Sequence, residues 1–134
     1  MPNVTALMFA SSNGDVESVV SLLALNDIKE NAGAVTPEGN TALMLASRWG
    51  HAEIVTALLA CPTVATSANA VDEDGNNALM IASSRGFNSV VVALLTCPVV
   101  VASANAVNKK GNTALILASM HGFVPTVDAL LAAA

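Results

Sequence analysis

Apolar residues recur along this chain with a period of 36 residues, and within each period they follow helical spacing. Val55, Leu58 and Leu59 stand at positions i, i+3 and i+4, which places them on one face of a helix. The pattern therefore predicts the same amphipathic helix four times. The equivalent triplets are Val19, Leu22 and Leu23; Val91, Leu94 and Leu95; and Val127, Leu130 and Leu131.

A shorter apolar run precedes each of these helices. In one copy it extends from Ala42 to Ser47, directly after Thr41. The side-chain oxygen of Thr41 can accept a hydrogen bond from the first free backbone N–H groups, so we predict a capped short helix. Each run ends near a glycine, which favours a turn with positive φ. The equivalent caps are Thr5, Asn77 and Thr113, and the glycines are Gly14, Gly50, Gly86 and Gly122.

The segments that join successive copies contain proline and then a glycine turn. Pro62 and Pro98 terminate the second helix in the two middle copies. We expect extended segments over 63–71 and 99–107, each followed by a turn of the Asp/Asn-x-x-Gly type. A period of this length indicates a repeat architecture. We predict one domain with units at about 1–35, 36–71, 72–107 and 108–134.

Composition and charge narrow the range of partners. The chain is 54% apolar and 11% charged, with a net charge of −5 and its five basic residues scattered, so nucleic-acid binding is disfavoured. We see no signal peptide in residues 1–14. The uncharged stretch 86–108 is long enough to span a bilayer, but it aligns with 50–72, which carries Glu53 and Asp72. We therefore expect no membrane insertion.

Candidate chemistry is sparse. Cys61 and Cys97 lie 36 residues apart, at equivalent positions of adjacent units. Packed helices are too far apart for a disulfide between them, so we predict free thiols and an intracellular, cytoplasmic location. No CxxC motif, histidine cluster, phosphate loop or paired carboxylates stand out. We expect no enzyme activity, no cofactor and no metal site.

The repeated motifs resemble those of ankyrin repeats. Residues 72–86 are similar to the family pattern D-x-x-G-x-T-P-L-H-x-A-A-x-x-G, and residues 50–59 are similar to G-H-x-x-I-V-x-x-L-L. The resemblance covers the whole chain. It implies an all-α repeat solenoid of stacked helix-turn-helix units with protruding hairpin fingers. The chain departs from the family by its Thr-Ala-Leu-Met box, in which we expect packing of Met44 and Met80 to replace histidine hydrogen bonds, and by a unit about three residues longer.

The resemblance also implies a protein-binding module that holds a protein or peptide on a concave face. The family's contact positions are the residue pair before each turn glycine and the tips of the fingers. In this chain they are Ser12, Asn13, Arg48, Trp49, Ser84, Arg85, Met120 and His121 on the helices, with Glu38, Glu73, Asp74, Lys109 and Lys110 on the fingers.

Several alternatives stay open from the sequence. Trp49 is either a binding residue or a packing residue against Arg48, and Arg85 either selects a carboxylate or pairs with Glu53 or the acidic finger. The chain could instead be a structural subunit of a larger complex, held through an apolar convex face and an uncapped last unit. The 20 identities over 36 positions between 41–76 and 77–112 also fit an engineered scaffold.

Overall fold

A computed structural model describes residues 2–133, with side chains from residue 5 onward. The described residues form eleven α-helices and no strand. The helices are α1 (Pro2–Asn13), α2 (Val16–Leu23), α3 (Asn26–Asn31), α4 (Ala42–Arg48), α5 (Ala52–Leu59), α6 (Pro62–Thr66), α7 (Ala78–Arg85), α8 (Asn88–Leu94), α9 (Pro98–Ala102), α10 (Ala114–Met120) and α11 (Val124–Ala133).

The helices stack in layers, as the sequence predicts. The inner helices α1, α4, α7 and α10 contact one another in that order, and the outer helices α2, α5, α8 and α11 do the same. The core runs between the two layers, and its fully buried members include Ile54, Val55, Leu58 and Leu94. Met44 and Met80 are also buried, which confirms their assignment to the core. The architecture is an all-α repeat solenoid.

Each inner helix from the second unit onward starts at its predicted cap. The side-chain oxygens of Thr41, Asn77 and Thr113 accept hydrogen bonds from backbone N–H groups three residues ahead, at 3.1, 2.9 and 3.2 Å. The prediction for Thr5 is wrong, because α1 begins at Pro2 and Thr5 lies inside it. Residues 1–4 lack the glycine of the finger turn, so a helix replaces the finger there.

Each inner helix ends in a turn that glycine makes possible. The four predicted turn glycines have φ between +71° and +79°. The N–H of the next residue then reaches back to a carbonyl of the helix, as His51 N does to Ala46 O at 3.0 Å. This is the Schellman arrangement, in which a left-handed residue lets the chain reverse and satisfies a free helical carbonyl. The chain can therefore enter the outer helix at once.

The structure corrects the predicted extended segments. Residues 63–66 and 99–102 are helical and belong to α6 and α9, and the first unit has a comparable short helix, α3. Pro62 and Pro98 start these helices rather than merely ending the preceding ones, because a proline at the first helical position loses no hydrogen bond. Val64 and Val100 are buried from them. Packing of these valines stabilises a third helix in the unit.

The fingers are short hairpin-like turns. In each, the N–H of the first residue donates to the carbonyl of the fifth, at 2.9 to 3.0 Å for 36–40, 72–76 and 108–112. The two cysteines are free and buried, as predicted. No helix in the described part of the chain is both long and apolar enough to cross a bilayer.

Candidate functional site

The candidate site is the concave face, which we define by the carboxyl ends of α4, α7 and α10 together with the finger turns. Trp49 follows α4 and is 52% exposed, although it is large and apolar. The guanidinium carbon of Arg85, at the end of α7, lies 5.3 Å from the centre of the Trp49 ring. This distance allows a cation–π interaction, which pre-orders both side chains.

The contact of Arg85 with Trp49 differs from the predicted pairing with Glu53 or the acidic finger. The ion pair on this face is formed instead by Arg48, whose Nη2 lies 3.9 Å from Asp72 Oδ2 and 3.2 Å from Asn40 Oδ1. Arg48 is therefore tied to two fingers and holds them against α4. Arg85 stays exposed, with its charge directed over the indole ring.

Fingers are joined by backbone and amide groups. The N–H of Lys109 donates to the carbonyl of Asp74 at 3.1 Å, and Asn108 Nδ2 donates to Asn76 Oδ1 at 2.9 Å. Within one finger, Asp72 Oδ1 accepts from two backbone N–H groups, both at 2.9 Å. These bonds fix the turn geometry, so the finger side chains that point outward start from a rigid base.

A cavity of about 380 Å³ lies between the third and fourth units. Met120, which is 64% exposed, and His121 form one wall, and the His121 ring stacks on Phe123 with centroids 5.6 Å apart. The structure thus brings together six of the predicted site residues in one cavity. They are Asp74, Ser84, Lys109, Lys110, Met120 and His121.

Other predicted site residues lie outside this cavity. Glu38 and Glu73 are exposed on neighbouring fingers, linked by a bond of 3.2 Å from Glu73 N to Glu38 O. The carbonyl of Ser12 lies 3.1 Å from His51 Nε2, which gives His51 a structural contact between units. Whether a partner contacts the predicted residues stays a prediction.

Sequence reasoning missed the asparagines of this face. Asn76, Asn108 and Asn112 line the cavity, and Asn40 holds Arg48. Their repeated position before each inner helix, one residue after the finger glycine, was a usable signal for Asn40, Asn76 and Asn112. Among the residues described, no cluster of three or more His, Cys, Asp or Glu could hold a metal ion.

Comparison with known proteins accounts for the whole fold. A family model described as "Ankyrin repeats (3 copies)" matches residues 2–67 and again residues 61–134. Repeats of this family are generally protein–protein interaction modules, and the family is typically non-enzymatic. No curated protein matches the sequence. Because the matched segments together cover nearly all residues, the chain belongs to the ankyrin repeat family.

Proposed function

We propose that this chain binds a protein or peptide segment along its concave face, with Trp49 and Arg85 at the centre of the contact. The observation that carries this proposal is the position of Trp49, which is half exposed while the core beside it is closed by other residues. Trp and Arg are the types most enriched among residues that dominate binding energy. Their stacking reduces the conformational entropy lost on binding.

The charges on this face favour one direction for the bound segment. Acidic side chains occupy the fingers of the second and third units, at Glu38, Glu73 and Asp74, and basic side chains occupy the finger of the fourth. A partner segment with a basic residue near the second unit and an acidic residue near Lys109 and Lys110 has complementary charges. Exposed Met120 offers an apolar contact beside the basic end.

The location also follows from residues of this chain. Cys61 and Cys97 are buried free thiols, which favour a reducing compartment such as the cytoplasm. Exposed apolar residues on outer helices, among them Val20 and Val92, support a second candidate function. In that function the chain is a structural subunit whose convex face packs within a larger complex.

The test uses the single tryptophan as the reporter. Peptides selected from a displayed random library against the wild-type chain are titrated while Trp49 fluorescence is recorded. We expect binding to shift the emission, and Trp49→Ala combined with Arg85→Ala to weaken affinity by about 30-fold, which equals about 2 kcal/mol.

The control for this test is Glu53→Ala, an exposed position on outer helix α5, which should leave affinity unchanged. Affinity of the double variant is measured by calorimetry, since it lacks the reporter. A folded double variant that binds the selected peptides as well as the wild type would contradict the proposed site. Reversal of Lys109 and Lys110 to glutamate then tests the predicted direction.

A further inference from the structure

The fourth unit exposes residue positions that are buried in the units before it. We call the surface formed by Leu115, Ile116, Ser119, Val127 and Leu131 the open face. Leu7, Leu43 and Leu79 hold the position of Leu115 in earlier units and are buried, whereas Leu115 is half buried. Ile116 is 41% and Leu131 is 55% exposed. These positions are covered, in earlier units, by the unit that follows.

A ring contact shows how each interior unit is covered. The ring of His51 lies against Gly14, that of Phe87 against Gly50, and that of Phe123 against Gly86, so that a Cβ on these glycines would approach ring atoms to 2.7 to 3.0 Å. Gly122 has the same backbone conformation, with φ of +71°, and no atom stands within 4 Å of its Cβ position. The slot for a ring is therefore formed and open.

The finger of the fourth unit repeats this finding. Backbone N–H groups of Glu73 and Lys109 donate to Glu38 O and Asp74 O of the preceding fingers. The equivalent acceptor is the carbonyl of Lys110, for which the described residues provide no donor. Asn112 Oδ1 corresponds to Asn76 Oδ1, the acceptor of Asn108, and also has no donor among them. Both acceptors lie at the same edge as Gly122.

A second copy of this chain does not fit this pattern. Its first unit carries Asp15 where the interior units carry a ring, and Ser18 where Ile54 and Val90 are buried. Its α1 begins at Pro2, so a helical turn stands where the finger should be. Two of the three kinds of contact, ring and finger, are thus missing from this surface of the chain.

The path of α11 argues against direct tandem continuation. In the third unit, Cys97 and Pro98 end the outer segment and start the third helix. Ala133 replaces Cys97 in the fourth unit, and α11 runs on as one helix through Ala132 and Ala133. The chain therefore does not turn toward the path that places the next finger. Beside it, Val101, Leu115 and Leu131 line an apolar cavity of about 240 Å³.

We propose that the open face docks a terminal ankyrin-type repeat of a separate protein. The docking repeat carries a ring after its turn glycine, apolar residues on its outer helix and a finger that donates an N–H to Lys110 O. The argument rests on continuity, because three interfaces inside this chain already have this construction. This inference concerns a surface distinct from the concave face and does not depend on the proposed function.

The probe is a full-length variant whose first unit is converted to the interior type. Residues 1–4 are exchanged for Pro37 to Asn40, which supplies the finger, and Asp15→Phe with Ser18→Val supplies the ring and an apolar contact. Leu131→Asp closes the probe's own open face. The wild-type chain and the probe are mixed and examined by size exclusion with light scattering.

We expect a complex with twice the 13.5 kDa mass of one chain. Leu131→Asp in the wild-type partner should weaken the complex at least about tenfold. Val20→Asp, an exposed substitution on the outer helix α2, is the matched control and should leave it intact.

Three results would overturn the proposal. They are a folded probe that forms no complex, a complex insensitive to Leu131→Asp, and a wild-type homodimer that Leu131→Asp disperses, which would make a second copy the occupant. A probe that loses its helical circular dichroism spectrum is replaced by one with only the three substitutions, and the same outcomes decide.

Discussion

The two ends of the stack use the same helix pair but differ in chemistry. At the first unit, Asp15 and Ser18 replace the ring and the aliphatic residue of interior units, and Phe9 remains as an exposed apolar side chain. At the fourth unit, Leu115, Ile116 and Leu131 keep their interior identities although no later unit covers them. Terminal repeats normally carry polar outer faces. The first end satisfies this rule and the fourth does not.

This difference shows that a repeat's position in the stack is not encoded by its backbone. Gly86 and Gly122 have the same φ of +71°, yet only Gly86 is covered by a ring. The local sequence makes the turn in both places, and the neighbouring unit decides whether the surface beside it is core or exterior. Three predictions follow from the contrast between covered and uncovered positions.

The largest effect is expected from equivalent leucines at the two kinds of interface. Leu79→Ala removes a side chain that the fourth unit covers, so we expect a loss of about 2–5 kcal/mol in unfolding free energy. Leu115→Ala removes a half-buried side chain and should cost only about 1 kcal/mol. Urea denaturation of both variants measures the difference. Equal losses would mean that the open face is as well covered as an interior interface.

A second comparison separates backbone strain from ring contact. Gly86→Ala and Gly122→Ala both place a side chain at positive φ, at a cost of about 1–2 kcal/mol. Gly86→Ala also brings its Cβ to 2.7 Å from Phe123 Cδ1, which should add about 1–3 kcal/mol.

Thermal and urea unfolding of these two variants, compared in a Phe123→Ala background, measure that addition. If the ring contact is responsible, the excess cost of Gly86→Ala disappears when the ring is absent. An unchanged excess would refute the ring as its cause.

The smallest effect concerns the polar end. A hydrogen bond from the Ser18 hydroxyl, and a further one from the Ser18 backbone N–H, lower the pKa of Asp15 below its usual 3.8. Because the folded-state pKa is lowered, this cap stabilises the fold above the unfolded-state pKa and is lost as pH falls through the folded-state pKa. We expect Asp15→Ala to reduce stability at neutral pH and to have no effect in strong acid.

Urea unfolding of the wild type and Asp15→Ala across the acid range measures this pH dependence. Ser18→Ala serves as the control, because the dependence on Asp15 should be weaker without the hydroxyl. A constant difference between the wild type and Asp15→Ala at all pH values would contradict the role of the carboxylate.

Much of the fold was predictable because its signals are local and repeated. The caps Thr41, Asn77 and Thr113, the turn glycines and the buried leucine pairs each act within one or two helical turns. The short helices α6 and α9 were not predicted. Their five residues have little helical preference alone, and burial of Val64 and Val100 against neighbouring segments stabilises them.

The candidate site was predictable in position and not in detail. The residues before the turn glycines were named from the family resemblance, and the structure brings six predicted residues to one cavity. The partners of Arg48 and Arg85 depended on side-chain directions across units. Arg48 reaches Asn40 and Asp72, whereas Arg85 lies over Trp49, although both arginines end inner helices.

Periodic sequence was sufficient for the repeat, its length, the helix pair and the turns, since these depend on hydrophobic spacing and on backbone preferences of a few residue types. Tertiary contact decided the third helix, the pairing of charged side chains and the difference between a covered and an uncovered unit. Those features depend on which groups meet across a distance of one repeat, and a single unit's residues do not specify its neighbour. The surfaces that could bind partners, around Trp49 and around Gly122, arise at this second level.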